Sequence, residues 1–247
     1  TSGDADFSTY VAVGNSLTAG YMDGTVYRVG QTYSFPNLLA QQFALVGGGE
    51  FTQPSYAEDV DNLGGISGVP GFNTRLVIDA SQGKPENIAG TSTITLTPQA
   101  TAYNNMGVPG AKSFHLGFPG YAALNPYFAR HATSPTATVL GDAMSKNPTF
   151  FTNWIGANDV LAYATNGGAQ SDGTTPAADH NVTGNLDAST YGFYDITNAN
   201  TFASVYSTLI NTLTSGGAKG VVATVPSVTS IPYFTTVPYK PVPLDNT

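Results

Sequence analysis

Tyr10-Val11-Ala12-Val13, running straight into Gly14-Asn15-Ser16-Leu17, is the stretch whose reading decides the fold. An apolar run that stops at a turn of small residues has the pattern of a buried strand with an abrupt end. Open α/β sheets bind ligands outside the carboxyl ends of their strands, so a serine in that turn stands where such sheets do chemistry. Taken alone, Ser16 reads more readily as a helix N-cap than as a nucleophile. Two later segments repeat the pattern. Asn105-Met106-Gly107-Val108-Pro109-Gly110-Ala111 is a second small-residue turn, and Trp154-Ile155-Gly156-Ala157-Asn158-Asp159 is a third, directly after an apolar run. Each has a bland reading of its own: Pro109-Gly110 as an ordinary turn pair, Asn158 as the cap of a helix starting near Asp159. Their occurrence in order, each at the end of a strand-like run, favours a shared site.

Outward from these turns, strand and helix alternate. Ser34-Phe35-Pro36 reads as a helix start, with Ser34 as N-cap and Pro36 in the first turn, and Gly47-Gly48-Gly49 ends that helix. Residues from about 51 to 99 break the alternation. Arg75 to Ile78 and Thr93 to Leu96 look like two short strands around the turn residues Ser81 to Pro85, an inserted hairpin. Ala111 to Arg130 reads as an irregular helix broken near Pro119-Gly120. A short helix near Thr138 to Lys146 leads to the strand Thr149 to Ile155. A second insertion, about 165 to 200, has no sustained apolar period, and loops of that length in compact domains are functional or mobile. It contains the weak glycosylation triplet Asn181-Val182-Thr183. Phe202, Val205, Tyr206, Leu209, Ile210 and Leu213 then fall at helical spacing. Gly220 to Val225 is a near-continuous apolar strand of the kind parallel sheets bury. The tail from Pro226 holds five prolines (226, 232, 238, 241 and 243) and reads as an extended loop. The order gives a parallel sheet with helices on both faces.

Composition narrows the class. At 247 residues the chain has room for one large α/β domain or two small ones. Charged residues make up only 10%, against a usual ~25%, and polarity comes instead from Thr, Ser, Asn and Gln. That balance suits an exported protein with long loops. The net charge of −8 and the lack of a basic stripe argue against nucleic acid and anionic membranes. With no cysteine, disulfides and thiolate chemistry are excluded. The three histidines, His115, His131 and His180, lack metal-ligand spacing, so no metal or cofactor is expected. No apolar run is long enough to span a membrane. The chain starts at Thr1-Ser2-Gly3-Asp4 without Met, which reads as a mature or trimmed form of an exported protein in the periplasm, at the cell surface or outside the cell.

Together the three turns resemble the GDSL, or SGNH, family of serine esterases and lipases. Its first block reads Gly-Asp-Ser-Leu, its second has an Asn followed by glycines, and its third reads Gly-x-Asn-Asp. Here Asn15 stands where the family usually has Asp. It is neutral but still able to bond the turn backbone, which puts any electrostatic role of that Asp in doubt. The resemblance implies a three-layer α/β/α, flavodoxin-like fold, read here as a single domain over residues 1–247 with the two insertions. It implies Ser16 as nucleophile, with an oxyanion hole formed by the Ser16 N–H, the Gly110 N–H and the Asn158 amide. Gly107 is the runner-up to Gly110, and Asp159 and Asn15 support the turns. The three residues are expected to converge on one pocket, with the 165–200 insertion an irregular excursion beside it.

Acyl transfer also needs a base. The family takes it from an Asp-x-x-His motif near its C-terminus, and none of the three histidines matches: the residue three positions before each is Lys112, Phe128 or Ala177. The simplest expectation is that the base lies beyond residue 247. The chain is then incomplete and exposes a sheet edge through which it associates, with itself or with the missing part. A base at His180 in the insertion is the alternative, although its neighbour Asp179 points away. His131, beside Arg130, is expected to resist protonation and sit on the surface, and His115 to be a packed helix residue. The expected substrate is an acyl or acetyl ester of lipid or carbohydrate. The reading from a different class is a non-catalytic glycan-binding domain using the Tyr-rich loops from Tyr21 to Tyr33 and from Tyr191 to Tyr194.

Overall fold

The computed structural model describes residues 3–236. The elements follow in the order β1 (Tyr10–Gly14), α1 (Ser16–Ala19), α2 (Arg28–Thr32), α3 (Phe35–Ala44), β2 (Leu76–Asp79), β3 (Lys84–Asn87), β4 (Asn105–Gly107), α4 (Tyr121–Leu124), α5 (Pro126–Ala129), α6 (Val139–Ser145), β5 (Phe150–Trp154), α7 (Asn158–Thr165), α8 (His180–Thr183), α9 (Ala199–Thr214), β6 (Lys219–Val222) and α10 (Pro232–Thr235). They make two compact units. The first holds the described residues up to 155 together with 204–223; the second holds 156–203 and the described residues from 224.

The first unit is α/β. Its four-stranded sheet has the order β4-β1-β5-β6, and every pair is parallel. The central strands, Tyr-Val-Ala-Val-Gly and Phe-Phe-Thr-Asn-Trp, must bury both faces, which is why their sequences are almost continuously apolar. Alternation divides their side chains between two cores. Val11, Val13, Phe151 and Met106 pack with Val139 and Ala143 of α6 and Leu209 and Leu213 of α9. Tyr10, Ala12 and Phe150 pack with Ala40, Leu39 and Phe43 of α3. The hydroxyl of Thr152, inside β5, meets the Tyr10 hydroxyl at 2.8 Å, so neither is stranded in the core. Ser34 precedes α3 as expected, but its side chain makes no cap bond and donates instead to Gln53.

The two sheet edges differ. β4 is buried, and the N–H groups of Asn104 and Asn105 both donate to the Thr52 carbonyl at 3.0 Å, so the first insertion covers that side. The expected strand after Gly220 forms over Lys219–Val222 but is exposed along its whole length, because among the described residues only β5 pairs with it.

Within the insertion the expected hairpin partner is corrected. Leu76–Asp79 pairs antiparallel with Lys84–Asn87, not with Thr93–Leu96. Both hairpin strands are largely solvent-exposed, so burial does not set the register. The turn does: the Asp79 carboxylate accepts from the Ser81 N–H at 2.8 Å and its hydroxyl at 2.7 Å, and Gly83 N–H donates to the Asp79 carbonyl at 2.7 Å. Ile94, from the segment read as a strand, is instead a single buried plug in a small cluster with Ala19, Val26, Tyr56 and Ile66. Residues 111–130 are broken as expected, into a 3-10 turn at Ser113–Gly117 followed by α4 and α5.

In the second unit, residues 166–198 contain α8, a 3-10 turn at Ala188–Thr190 and isolated bridges between Ala169 and Pro176 and between Asp179 and Ile196. The described part of the tail is less extended than its prolines suggest. It forms a 3-10 turn at Val228–Ser230 and then α10, with Pro232 in its first turn. Pro238, Pro241 and Pro243 lie outside the described residues. Among the described residues no helix is long and apolar enough to cross a membrane.

Candidate active site

Ser16 is the first residue of α1, immediately past the C-terminal end of β1. It is not the cap. Asn15, only 2% exposed, fills that role, its Oδ1 accepting from the Leu17 N–H at 3.2 Å. The amide thus does for the turn what a carboxylate would, without the charge. Ser16 is freed of the capping duty. Its side chain is half-buried, and among the described residues neither its hydroxyl nor its N–H has a hydrogen-bond partner.

The second block is knotted to the first. Val108 N–H donates to the Gly14 carbonyl at 3.0 Å. Asn105, 1% exposed, accepts from Gly107 N–H at 3.0 Å and donates to the Thr18 carbonyl and to Gln53, both at 2.9 Å. Geometry separates the two candidate glycines. A Cβ on buried Gly107 would stand 2.3 Å from the Ala19 nitrogen, so this glycine exists for close packing on α1. Gly110 has φ +80°, and a Cβ there would meet only Asn125 Nδ2, at 3.9 Å. The Gly110 N–H has no partner among the described residues. Its direction is set by a neighbour: Asn125 Nδ2 donates to the Pro109 carbonyl at 2.9 Å. In a trans peptide the carbonyl and the N–H point opposite ways, so holding one oxygen aims the other hydrogen. Asn125 is itself fixed by the Tyr121 hydroxyl at 2.8 Å and by accepting from Tyr127 N–H at 3.0 Å.

Asn158 belongs to the second unit, as the first residue of α7, and it is not the cap either: Ala157 holds that position without a side-chain bond. Asp159, 4% exposed, lies in the first turn, where a carboxylate favours the helix dipole, and its carbonyl accepts from Thr197 N–H at 3.0 Å.

His180 has a carboxylate partner that sequence proximity did not reveal. Asp179 is occupied in capping α8, accepting from Asn181 N–H at 2.9 Å. The partner is Asp195, whose Oδ2 lies 3.0 Å from His180 Nε2. Burial raises the Asp195 pKa, but the N–H groups of Ala178 and Gly192, together with His180 and Gln170, outweigh it and hold the carboxyl below its ordinary value. A carboxylate only accepts, so His180 Nε2 carries a hydrogen, and Nδ1 lies 3.1 Å from Thr183 Oγ1. The ring also stacks on Tyr191, centroids 3.8 Å apart, and the residue is 6% exposed. With both nitrogens engaged, His180 is a structural knot within the insertion. Asn181 of the glycosylation triplet is engaged too, its amide donating to Asp179 at 2.8 Å.

The other histidines are both in the first unit. His131 is buried at 2% exposure, a correction to the expected surface position. Burial first, and then the Arg130 charge, lower its pKa to about 3, so it does resist protonation. Arg130 beside it is buried because Glu58 (2.6 Å), the carbonyls of Ser55 (3.0 Å) and Thr95 (2.9 Å) and the Tyr56 ring receive its charge. His115 stacks on Tyr121 at 4.4 Å, and burial together with Lys112 lowers its pKa to about 4. The Tyr-rich loops are partly committed to the interior: Tyr27 is buried with its hydroxyl on Asp23, and Tyr191 covers His180. Sequence reasoning missed Asn125, Asp195 and the tying role of Asn105. Only Asn105 carried a signal, as the Asn ahead of the glycines. Comparison with protein-family models, with curated proteins and with solved structures finds no match.

Proposed function

We propose that the chain carries the nucleophile and oxyanion turns of an exported serine hydrolase of the GDSL, or SGNH, type, on that family's three-layer α/β/α fold, acting on acyl or acetyl esters of lipid or carbohydrate. The observation that carries this reading is the set of three unpartnered groups on two knotted turns: the Ser16 hydroxyl, the Ser16 N–H and the Gly110 N–H. The Ser16 N–H is free as the first N–H of a helix, and donors fixed before reaction are what a developing oxyanion requires. In the proposed step the Ser16 oxygen attacks the ester carbonyl carbon and its proton passes to a base. The carbonyl oxygen takes up the negative charge facing the two N–H groups, with the Asn158 amide as the third donor by resemblance. Collapse expels the alcohol and leaves an acyl-serine for water to cleave. His131 is buried, His115 is partly buried with its Nδ1 accepting from the Lys112 N–H at 3.1 Å, and His180 is engaged at both nitrogens, so none of the three stands free as the base; by resemblance that role belongs to the histidine of an Asp-x-x-His block.

Hydrolysis of p-nitrophenyl acetate tests the reading. The 247-residue chain should be slow, at roughly 10³–10⁴ over water, the residue that oxyanion and binding terms leave when one triad member is missing. Ser16→Ala should lower that rate further, toward the uncatalysed one. An unchanged rate in Ser16→Ala rules the reading out.

A further inference from the structure

An open groove of about 440 Å³ lies in the first insertion, between the loop 66–74 and the segment 87–92. That volume falls within the range of ligand sites, roughly 300–1,000 Å³. Its walls are fixed before any ligand arrives. Ile66 N–H donates to the Phe72 carbonyl at 2.9 Å and closes the loop, while Ser67 N–H donates to the Ile94 carbonyl at 2.8 Å. Thr74 Oγ1 donates to the Ile88 carbonyl at 2.8 Å and holds the opposite wall. The floor is apolar: Val69 and Phe72 line the groove and pack on the buried cluster around Ile66. The rim is polar. Ser67, Asn73 and Thr91 present hydroxyl and amide groups that have no partner among the described residues, and Asn87 keeps a free Oδ1.

No lining residue carries a charge. An anion would find no cation to offset its desolvation, and a cation would find no carboxylate. A purely apolar ligand would leave the rim amides and hydroxyls covered and unsatisfied. A pyranose ring matches both surfaces, with C–H faces for the Val69 and Phe72 floor and hydroxyls that donate and accept for the rim. A fixed site lowers the ordering cost of such weak contacts. We propose that this groove binds a neutral oligosaccharide. The site is separate from Ser16, and the proposal does not depend on the esterase reading.

Native affinity electrophoresis of the 247-residue chain tests this, in gels containing a soluble neutral polysaccharide (galactomannan, laminarin or hydroxyethyl cellulose) or, as a control, anionic polygalacturonate. Retardation by at least one neutral polymer and none by the anionic one is the expected result. Asn73→Ala should weaken that retardation about fivefold, the scale of one lost hydrogen bond. Thr91→Lys, which fills the groove from an exposed position, should abolish it with the unfolding temperature unchanged, and Ser16→Ala should bind as the parent does. The proposal is overturned if no neutral polymer retards the chain. It is also overturned if retardation survives in both groove variants, which would place sugar binding elsewhere, or if only polygalacturonate binds.

Discussion

Asn125 touches no reacting group in the proposed step, yet through the Pro109 carbonyl it sets where the Gly110 N–H points. Asn125→Asp keeps the side-chain shape and the bond from Tyr127 N–H but loses the donor. If the proposed step holds, kcat for p-nitrophenyl acetate should fall about tenfold or more with KM little changed, because the loss falls on the oxyanion. An unchanged kcat would remove Asn125 from the machinery. The glycines should separate by stability. Gly107→Ala forces a Cβ against the Ala19 backbone and should cost about 2 kcal/mol or more. Gly110→Ala meets only conformational strain at positive φ, roughly 1–2 kcal/mol. Urea unfolding measures both. His131 makes a pH prediction with a definite sign. Its folded pKa of about 3 lies below the ordinary 6.5, so the unfolded state takes up a proton first as pH falls. Its stabilising effect is complete above pH 6.5 and is lost progressively down to about 3. His115, lowered to about 4, acts in the same direction. His131→Leu should therefore flatten the loss of stability between pH 7 and 5. An equally steep loss in the variant would contradict the burial of this ring.

At the scale of elements, what was legible follows what each element must bury. β1 and β5 could be read because central parallel strands need apolar residues on both faces, and α9 because its apolar residues keep one helical stripe. The β2–β3 hairpin was legible in its first strand but not in its second. Both strands face solvent, so Thr93–Leu96, with its apolar alternation, reads as a better strand than Lys84–Asn87, and only the Asp79 turn decides between them. His131 misled for a similar reason: a histidine beside an arginine reads as surface, but Arg130 is buried by partners from residues 55–58 and 95. The Ser16 and Gly110 turns were legible by type and order. Their locking residues, Asn105 and Asn125, depend on contacts that no local pattern encodes. Asp195 was likewise invisible, since it meets His180 across a stretch without periodicity. Asp195→Asn keeps the shape but removes the charge that His180, Gln170 and two N–H groups converge on, a loss of about 3 kcal/mol or more. Limited proteolysis should then cut within residues 169–198 much faster than in the parent, and equal resistance would show that the knot does not hold the insertion.

For the molecule as a whole, the four-stranded parallel sheet brings the ends of β1 and β4 side by side, and the turns that follow them carry the candidate chemistry. Among the described residues nothing pairs with the outer side of β6, where Val221 is 56% and Val222 49% exposed, whereas Thr52 covers that side of β4. Such an edge invites pairing with another strand. Covalent trapping tests Ser16 as the proposed nucleophile without needing turnover. The 247-residue chain is incubated at pH 9, where hydroxide substitutes slowly for the base, with a p-nitrophenyl alkylphosphonate. Attack by a serine oxygen on phosphorus expels nitrophenolate and leaves a stable adduct that peptide mass spectrometry locates. The expected result is one adduct per chain on the peptide carrying Ser16, absent from Ser16→Ala. An adduct on Thr183 or another hydroxyl, with Ser16 unmodified, would contradict the account.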